Sequence, residues 1–368
     1  MSVSVDKKRR KGEEEKGRKG DEKIFKCKYS SPHLLFSSSP LLKFMSLTTK
    51  CLITGGAGFI GSNIADELIN QGAKVVILDN FVTGFRENLE EINGDFEFVE
   101  GDLNDDAKLK QAVEEVEIIF HQAALPSVPR SVDNPLETHQ ACVDGTFNLL
   151  LKAKENNVKR VIYAASSSAY GDKEILPKVE TMLPEPLSPY AAAKLMGEYY
   201  CQVFSKVYTL ETICLRYFNV FGPRQNPSSQ YSGVISRFID ALMSGKTPII
   251  FGDGETTRDF TYIANVVDAN IKAAQTSKGI GEVMNVANSE RISLNELLDV
   301  LKKITGKENI SAEYQVQRKG DVKHSQADNG RAIECLGYEK LVGLEEGLQK
   351  TIDWWKTSRF ARNGAPSS

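Results

Sequence analysis

Two short stretches hold residue types that could move a proton and a hydrogen. Ser166-Ser167-Ser168-Ala169-Tyr170-Gly171 places three hydroxyls in a row, and Ser188-Pro189-Tyr190-Ala191-Ala192-Ala193-Lys194 places a phenol four residues before an amine. Removing hydrogen from a carbinol carbon requires that the hydroxyl proton leave at the same time, so a positioned base is needed. An ordinary tyrosine, with a pKa of about 10, is too weakly acidic for that work near neutral pH. A lysine beside it, on the same face of a helix, would favour the phenolate. A serine hydroxyl can hold the reacting oxygen and pass the proton on. Taken singly, a tyrosine–lysine pair at this spacing arises often by chance, and a serine triplet is commonly a flexible loop.

The elements that must position these groups begin at residue 50. Lys50–Thr54 is a short apolar strand that runs straight into GGAGFIG (55–61), and a helix then extends to about Asn70 with Ile60, Ile64, Leu68 and Ile69 on one side. Gly72 ends it, and the next strand, 74–78, leads to Asp79. This strand–turn–helix–strand unit is the context in which a glycine fingerprint means dinucleotide binding. Gly55 permits the tight turn, Gly58 lets the backbone approach a pyrophosphate, and Gly61 lets the helix pack on the sheet. The N–H groups of the first helical turn, around Phe59 and Ile60, are suited to phosphate. Asp79, 24 residues after Gly55, is placed to accept from both ribose hydroxyls and would repel a 2′-phosphate, which favours NAD over its phosphorylated form.

Further strands are expected at 96–99, 118–121, 161–165 and 212–215, alternating with helices and so forming a parallel sheet with right-handed crossovers. Asp102, beside Leu103, either bonds an adenine amine or serves a turn. Ala123 and Ala124 are small enough for a cofactor ribose to lie against the backbone, and His121 reads as a strand-end core residue. The serine triplet falls just past a strand's carboxyl end, where open parallel sheets bind ligands. Pro189 sits in the first turn of the helix carrying Tyr190 and Lys194. Arg224 reads either as a phosphate-facing cation or as a solvated loop charge.

In combination, over roughly residues 50–356, these features resemble the extended short-chain dehydrogenase/reductase superfamily. The phrases RYFNVFGPRQNP (216–227), DGETTRDFTYI (253–263) and RKGDV (318–322) place the chain nearest the bacterial UDP-hexose 4-epimerases, especially the branch acting on N-acetylated hexosamines. The resemblance implies a Rossmann-type doubly wound α/β sheet (50–215) with a smaller C-terminal α/β lobe for the sugar nucleotide (216–358). It implies NAD bound by Gly55, Gly58, Phe59, Ile60, Gly61, Asp79, Asn80, Asp102, Leu103, Ala123, Ala124, Tyr190, Lys194 and Tyr217. Ser166, Tyr190 and Lys194 take the catalytic roles, although the three serines' roles are not separable by sequence. A UDP-sugar would meet Ser127, Ser166, Ser167, Ser168, Tyr190, Asn219, Val234, Arg258, Arg318, Asp321 and Ser325. Arg258, Arg318 and Asp321 correspond to a nucleotide clamp in which the arginines bind diphosphate and the aspartate accepts from ribose hydroxyls.

Two positions bear on the reaction and substrate. Related dehydratases carry an Asp-Glu pair where Ser167 and Ser168 stand, and related decarboxylases a Glu at Ser168. Without an acid there, the simplest fate of a 4-ketone is return of its hydrogen, and return to the opposite face is epimerisation. Ser325 occupies the place where glucose-only epimerases have a bulky tyrosine, leaving room for an N-acetyl group, unless it is merely a loop serine. One departure is Cys142, where many relatives have an asparagine that helps hold the cofactor. A non-catalytic NAD sensor on the same fold is the alternative from another class, but the chain keeps both Tyr190 and Lys194. The resemblance also implies a homodimer, formed through helices near 135–155 and 189–207.

Composition agrees. Residues 1–50 hold 13 Lys/Arg against 6 Asp/Glu, and the remainder is acidic at −10, which argues against a nucleic-acid partner. Six scattered cysteines with no C-x-x-C pair suit a reducing cytoplasm. The four histidines have no metal-ligand spacing, and no apolar run reaches the roughly 18 residues of a membrane span. Residues 1–49 and the tail from 359 to 368 are expected to be disordered. Met45, five residues before the first strand, makes 1–44 look dispensable, as an over-extended gene start would.

Overall fold

A computed structural model describes residues 49–227, 233–317, 322–358 and 360–361. The expected N-terminal extension lies outside these residues except for Thr49, which is buried and accepts the Lys74 N–H at 3.0 Å. Of the expected tail, Phe360 and Ala361 are described, and the Phe360 ring lies 5.9 Å from that of Trp354, so packing continues past the boundary set at 359.

Seven strands form one parallel sheet: β1 (Lys50–Thr54), β2 (Lys74–Asp79), β3 (Glu97–Glu100), β4 (Ile118–His121), β5 (Arg160–Ser166), β6 (Glu211–Tyr217) and β7 (Glu282–Val286). Their order is β3-β2-β1-β4-β5-β6-β7, and every neighbouring pair is parallel. The order reverses between β1 and β4, which opens a crevice at the strands' carboxyl ends. The strands are nearly uninterrupted in apolar character because both faces are covered. Cys51 and Ile53 of β1 point into one core with Ile64, Leu68 and Ile77, while Leu52 points into another with Ile119, Leu149 and Val161.

Helices supply both layers. α1 (Phe59–Asn70) leaves the first strand, α2 (Gly145–Glu155) and α3 (Pro189–Tyr208) cover one face, and α4 (Ile263–Gln275) packs beside α1 on the other. Ser188 caps α3 by accepting the Ala191 N–H at 3.2 Å, with Pro189 at the first helical position. Between the short helix Pro135–His139 and α2, residues Gln140–Asp144 form a π-turn that contains Cys142.

The boundary expected at 215/216 falls inside β6, which continues through Tyr217. The C-terminal half also returns to the sheet as β7, because residues 282–286 are apolar enough to bury an edge that β6 would otherwise expose. The smaller lobe holds α5 (Leu294–Thr305), started by the Ser293–Glu296 capping box, and α6 (Leu344–Thr357). Among the described residues no helix is long and apolar enough to cross a membrane, and no cluster of His, Cys, Asp and Glu could hold a metal.

Candidate active site

A cleft of about 820 Å³ runs along the carboxyl ends of the strands from the glycine turn to the smaller lobe. All fourteen residues expected to contact the cofactor line it, and so do Ser127, the three serines, Asn219, Arg258 and Ser325. Val234 instead lines an adjoining chamber of about 210 Å³, which shares Asn219 and Arg258 with the cleft. Arg318 and Asp321 lie outside the described residues.

The glycine turn has the geometry its sequence implies. Gly55 has φ +70°, and a Cβ there would stand 2.8 Å from the Ala123 backbone. A Cβ on Gly61 would lie 2.3 Å from the Gly55 carbonyl oxygen, so no side chain fits between helix and turn. Gly58 is the N-cap of α1 and offers no side-chain cap, which leaves the first-turn N–H groups open to an anion. The Asp79 carboxylate accepts from Ala57 N at 3.0 Å and Phe81 N at 2.8 Å. Burial raises its pKa, against these backbone bonds. A carboxylate has about four acceptor sites, so capacity remains for ribose hydroxyls. These features fit NAD. Asp102 serves the turn, accepting from Asn104 N at 2.9 Å, while its other oxygen accepts from Asn80 Nδ2 at 2.6 Å on the cleft wall.

Deeper in the cleft, β5 ends at Ser166, whose Oγ accepts from both Ser168 N (3.2 Å) and Ser168 Oγ (2.8 Å). With its acceptor side so engaged, the Ser166 hydroxyl proton is free to be directed outward. Tyr190 and Lys194, one turn apart on α3, both face this end. Burial pushes the Tyr190 phenol pKa up, with a further push from nearby Cys142, and hydrogen bonding from Ser166 pulls it down. In the protein alone loss of solvent around the phenol dominates its pKa, and the lowering expected from Lys194 together with the positive nicotinamide ring concerns the state with cofactor bound. Lys194 is itself only 3 % exposed, and burial lowers its pKa. Its Nζ stands 4.8 Å from the centre of the Tyr163 ring, a cation–π contact.

The third residue on this helical face went unread in sequence, although its spacing carried the signal. Glu198, four residues after Lys194, forms a bidentate pair with Arg216 at 2.8 and 2.7 Å, and the guanidinium lies 4.6 Å from the Tyr170 ring centre. Tyr170 in turn donates to Asn285 Oδ1 at 2.7 Å, which ties the serine loop to β7.

Several other assignments resolve. His121 is fully buried: its Nδ1 lies 2.7 Å from Thr54 Oγ1 and its Nε2 lies 2.9 Å from Thr146 Oγ1. Burial first, then Lys194, depresses its pKa to about 3, so it is a neutral core residue. Arg224 is neither of the two things expected. It is buried and binds Asp66 at 3.1 Å, Glu91 at 3.3 Å and the Ser62 carbonyl at 2.9 Å, clamping the 222–225 turn onto α1. Cys142 is buried against Ala193, with Ala141 taking the cleft wall. The Tyr217 hydroxyl is shared with Asn270 and Gln122. Ser325 Oγ accepts from Asn219 Nδ2 at 3.3 Å and Asp259 N at 3.4 Å. Beneath it, the fully buried Asp259 accepts from Asn288 N and Ala327 N at 3.0 and 3.1 Å, and burial lifts its pKa to about 7.

Comparison with known proteins adds three findings. The sequence pattern of the NAD dependent epimerase/dehydratase family matches residues 51–287. A putative UDP-glucose 4-epimerase of Methanocaldococcus jannaschii is 40% identical over 83% of this chain and 98% of its own length. Among solved structures, a UDP-N-acetylglucosamine 4-epimerase from Methanobrevibacter ruminantium in complex with UDP-N-acetylmuramic acid superposes with TM-score 0.80 at 38% identity, covering 84% of this chain and 99% of that one. A UDP-glucose 4-epimerase of Thermus thermophilus complexed with NAD gives 0.77 at 32% identity, with coverage of 84% and 99%.

Proposed function

This chain belongs to the NAD dependent epimerase/dehydratase family, and on that footing we propose that it inverts C4 of UDP-N-acetylglucosamine and UDP-N-acetylgalactosamine, with UDP-glucose and UDP-galactose as a second pair. The observation that carries this reading is the meeting of Ser166, Tyr190 and Lys194 at the inner end of the dinucleotide cleft, in a loop without any acid. NAD, held at the Gly55–Gly61 turn and Asp79, would supply an acceptor and donor for the C4 hydrogen and a positive ring that adds the charge Tyr190 needs.

The protein's own part is to hold and move the proton. Ser166 orients the 4-hydroxyl, and Tyr190 accepts its proton as the ketone forms and gives it back after the ring has turned. Lys194, a buried amine on the same helical face, would act together with the nicotinamide ring against the burial that raises the phenol's pKa. The Glu198–Arg216 pair fixes the next turn of α3, so the tyrosine–lysine face cannot rotate away. Asn219 and Arg258 border both the cleft and the side chamber, which suits a diphosphate between sugar and base. Ser325 leaves room for the acetyl group.

The working unit in this reading is a homodimer. Met196, Tyr199, Val203 and Val207 of α3 form an exposed apolar stripe beside Phe147 of α2, more than a lone surface helix needs to show.

The deciding experiment incubates purified protein with each UDP-sugar and follows the products by NMR. Appearance of the galacto epimer supports the proposal. A 4-keto-6-deoxy product would mean a dehydratase, and no conversion would favour an NAD sensor.

A further inference from the structure

Tyr190 and Lys194 occupy two successive turns of α3, and Glu198 occupies the third. Lys194 is 3 % exposed and Glu198 1 %, so an amine and a carboxylate stand one turn apart in the same dry core. Among the described residues no carboxylate comes within ion-pair distance of Lys194, whose Nζ lies over the Tyr163 ring of β5. The other titratable groups around it are Cys142 of the π-turn, His121 of β4, Cys214 of β6 and, on α3 itself, Tyr190 and Cys201. These are thiols, phenols and a neutral imidazole, and Glu198 is the one carboxylate in the set. Burial pushes the Lys194 pKa down, and Cys142, Cys201, Glu198 and Cys214 oppose it in that order. An ordinary thiol ionises only near pKa 8.5, so near neutral pH the carboxylate supplies the full negative charge. Arg216 works to keep that carboxylate ionised. Burial raises the Glu198 pKa, and the guanidinium, bonded to both oxygens at 2.8 and 2.7 Å, pulls it back, as Lys194 does.

We propose that Glu198 is a positioning residue for the reaction, the counter-charge that holds Lys194 as an ammonium in its dry pocket so that Tyr190 faces a positive charge when a sugar arrives. The inference rests on the reading that Tyr190 moves the proton of O4. A buried amine gives up its proton unless an opposite charge stands near. A neutral amine there would leave the burial of the phenol unopposed by the protein. A carboxylate touching the ammonium would be as harmful, because it would cancel the field at the phenol. Held one turn away on Arg216, Glu198 sustains the charge without quenching it.

The test uses the full chain with its bound cofactor and isotope-labelled lysine ε-carbons, and follows Lys194 by NMR across pH, its signal assigned by its loss in Lys194→Arg. Over the same range kcat is measured with UDP-N-acetylglucosamine. In the wild type Lys194 is expected to stay an ammonium wherever the enzyme turns over. An amine with a lower pKa loses its charge earlier as the pH rises. In Glu198→Gln, therefore, the Lys194 titration and the alkaline limb of kcat should move together to the acid side by roughly one pH unit or more, and Glu198→Asp should bring both back. A fall in kcat with titration and limb in place means that Glu198 only braces the helix and overturns the inference, as does a neutral Lys194 in the wild type near neutral pH. Glu198→Gln leaves Arg216 buried without its partner. Should it fail to fold, Glu198→Gln combined with Arg216→Met, which removes both charges, is expected to show an acid shift of the same sign, and its absence overturns the inference. A wild type that converts no sugar overturns the C4 reading, while the Lys194 signal still decides the role of Glu198.

Discussion

Tyr190 is under two opposed influences, since burial makes its phenol less acidic while the chemistry requires its proton to be mobile. In the proposed mechanism a hydrogen-bonded serine and the buried Lys194 meet that demand, and neither works without the hydroxyl. Tyr190→Phe is therefore expected to lower kcat by roughly 10²–10⁴-fold while bound NAD, measured by release on denaturation, stays at the wild-type ratio. Loss of cofactor together with activity would make Tyr190 a binding residue instead. Ser325 sits in the cleft wall with its Oγ fixed by Asn219 and by the Asp259 N–H. Ser325→Tyr should suppress the N-acetylated pair before the plain hexoses in parallel kcat/KM measurements, and an equal fall in both would contradict a size gate. The sequence disclosed these residues unevenly. Tyr190, Lys194 and the serines were legible because a helical period and a strand end fix where they point. Lys178 and Asp259 were not, because their meaning lies in burial against segments about 150 and 70 residues away.

Among the elements, the first strand, turn and helix were legible almost to the residue, because local sterics decide them. The crowding of Gly61 against the Gly55 carbonyl, and the positive φ of Gly55, are properties of a seven-residue stretch. His121 shows what local reading leaves out. It was placed correctly in the core, but not as the middle of a chain of hydrogen bonds from β1 through β4 to α2, in which Thr146 Oγ1 donates on to the Cys142 carbonyl at 2.7 Å. Its pKa is about 3 when folded and 6.5 in the ordinary state. Between those values the unfolded chain takes up a proton that the native one refuses, so the associated stability is complete above about pH 6.5 and drains as the pH falls towards 3. Urea unfolding across this window should show a steeper acid-side loss for wild type than for His121→Gln. Parallel curves would mean that the imidazole is not held neutral. Arg224 failed in the other direction, since a loop sequence gives no hint that its arginine turns inward to Asp66 on α1 and to Glu91.

At the scale of the whole molecule the exposed apolar stripe on α2 and α3 is the face the proposed homodimer would use. If the homodimer forms there, Val203→Asp should give a monomer by light scattering while circular dichroism remains that of the wild type, and a wild type that is monomeric at micromolar concentration would dismiss the interface. Both faces of the sheet are covered and its outermost strand on one side, β7, comes from the C-terminal half, so the two halves of the chain share one sheet. The sequence by itself determined the dinucleotide unit, the strand order's parallel character and the tyrosine–lysine–serine trio, because each follows from periodicity, glycine sterics or spacing along a single element. Only the tertiary structure decided that Arg224 is a clamp, that burial raises the phenol's pKa, and that Lys178 is buried with its Nζ on the Lys173 carbonyl. Those are consequences of solvent exclusion and of contacts between distant segments, and neither is written in the neighbours of a residue along the chain.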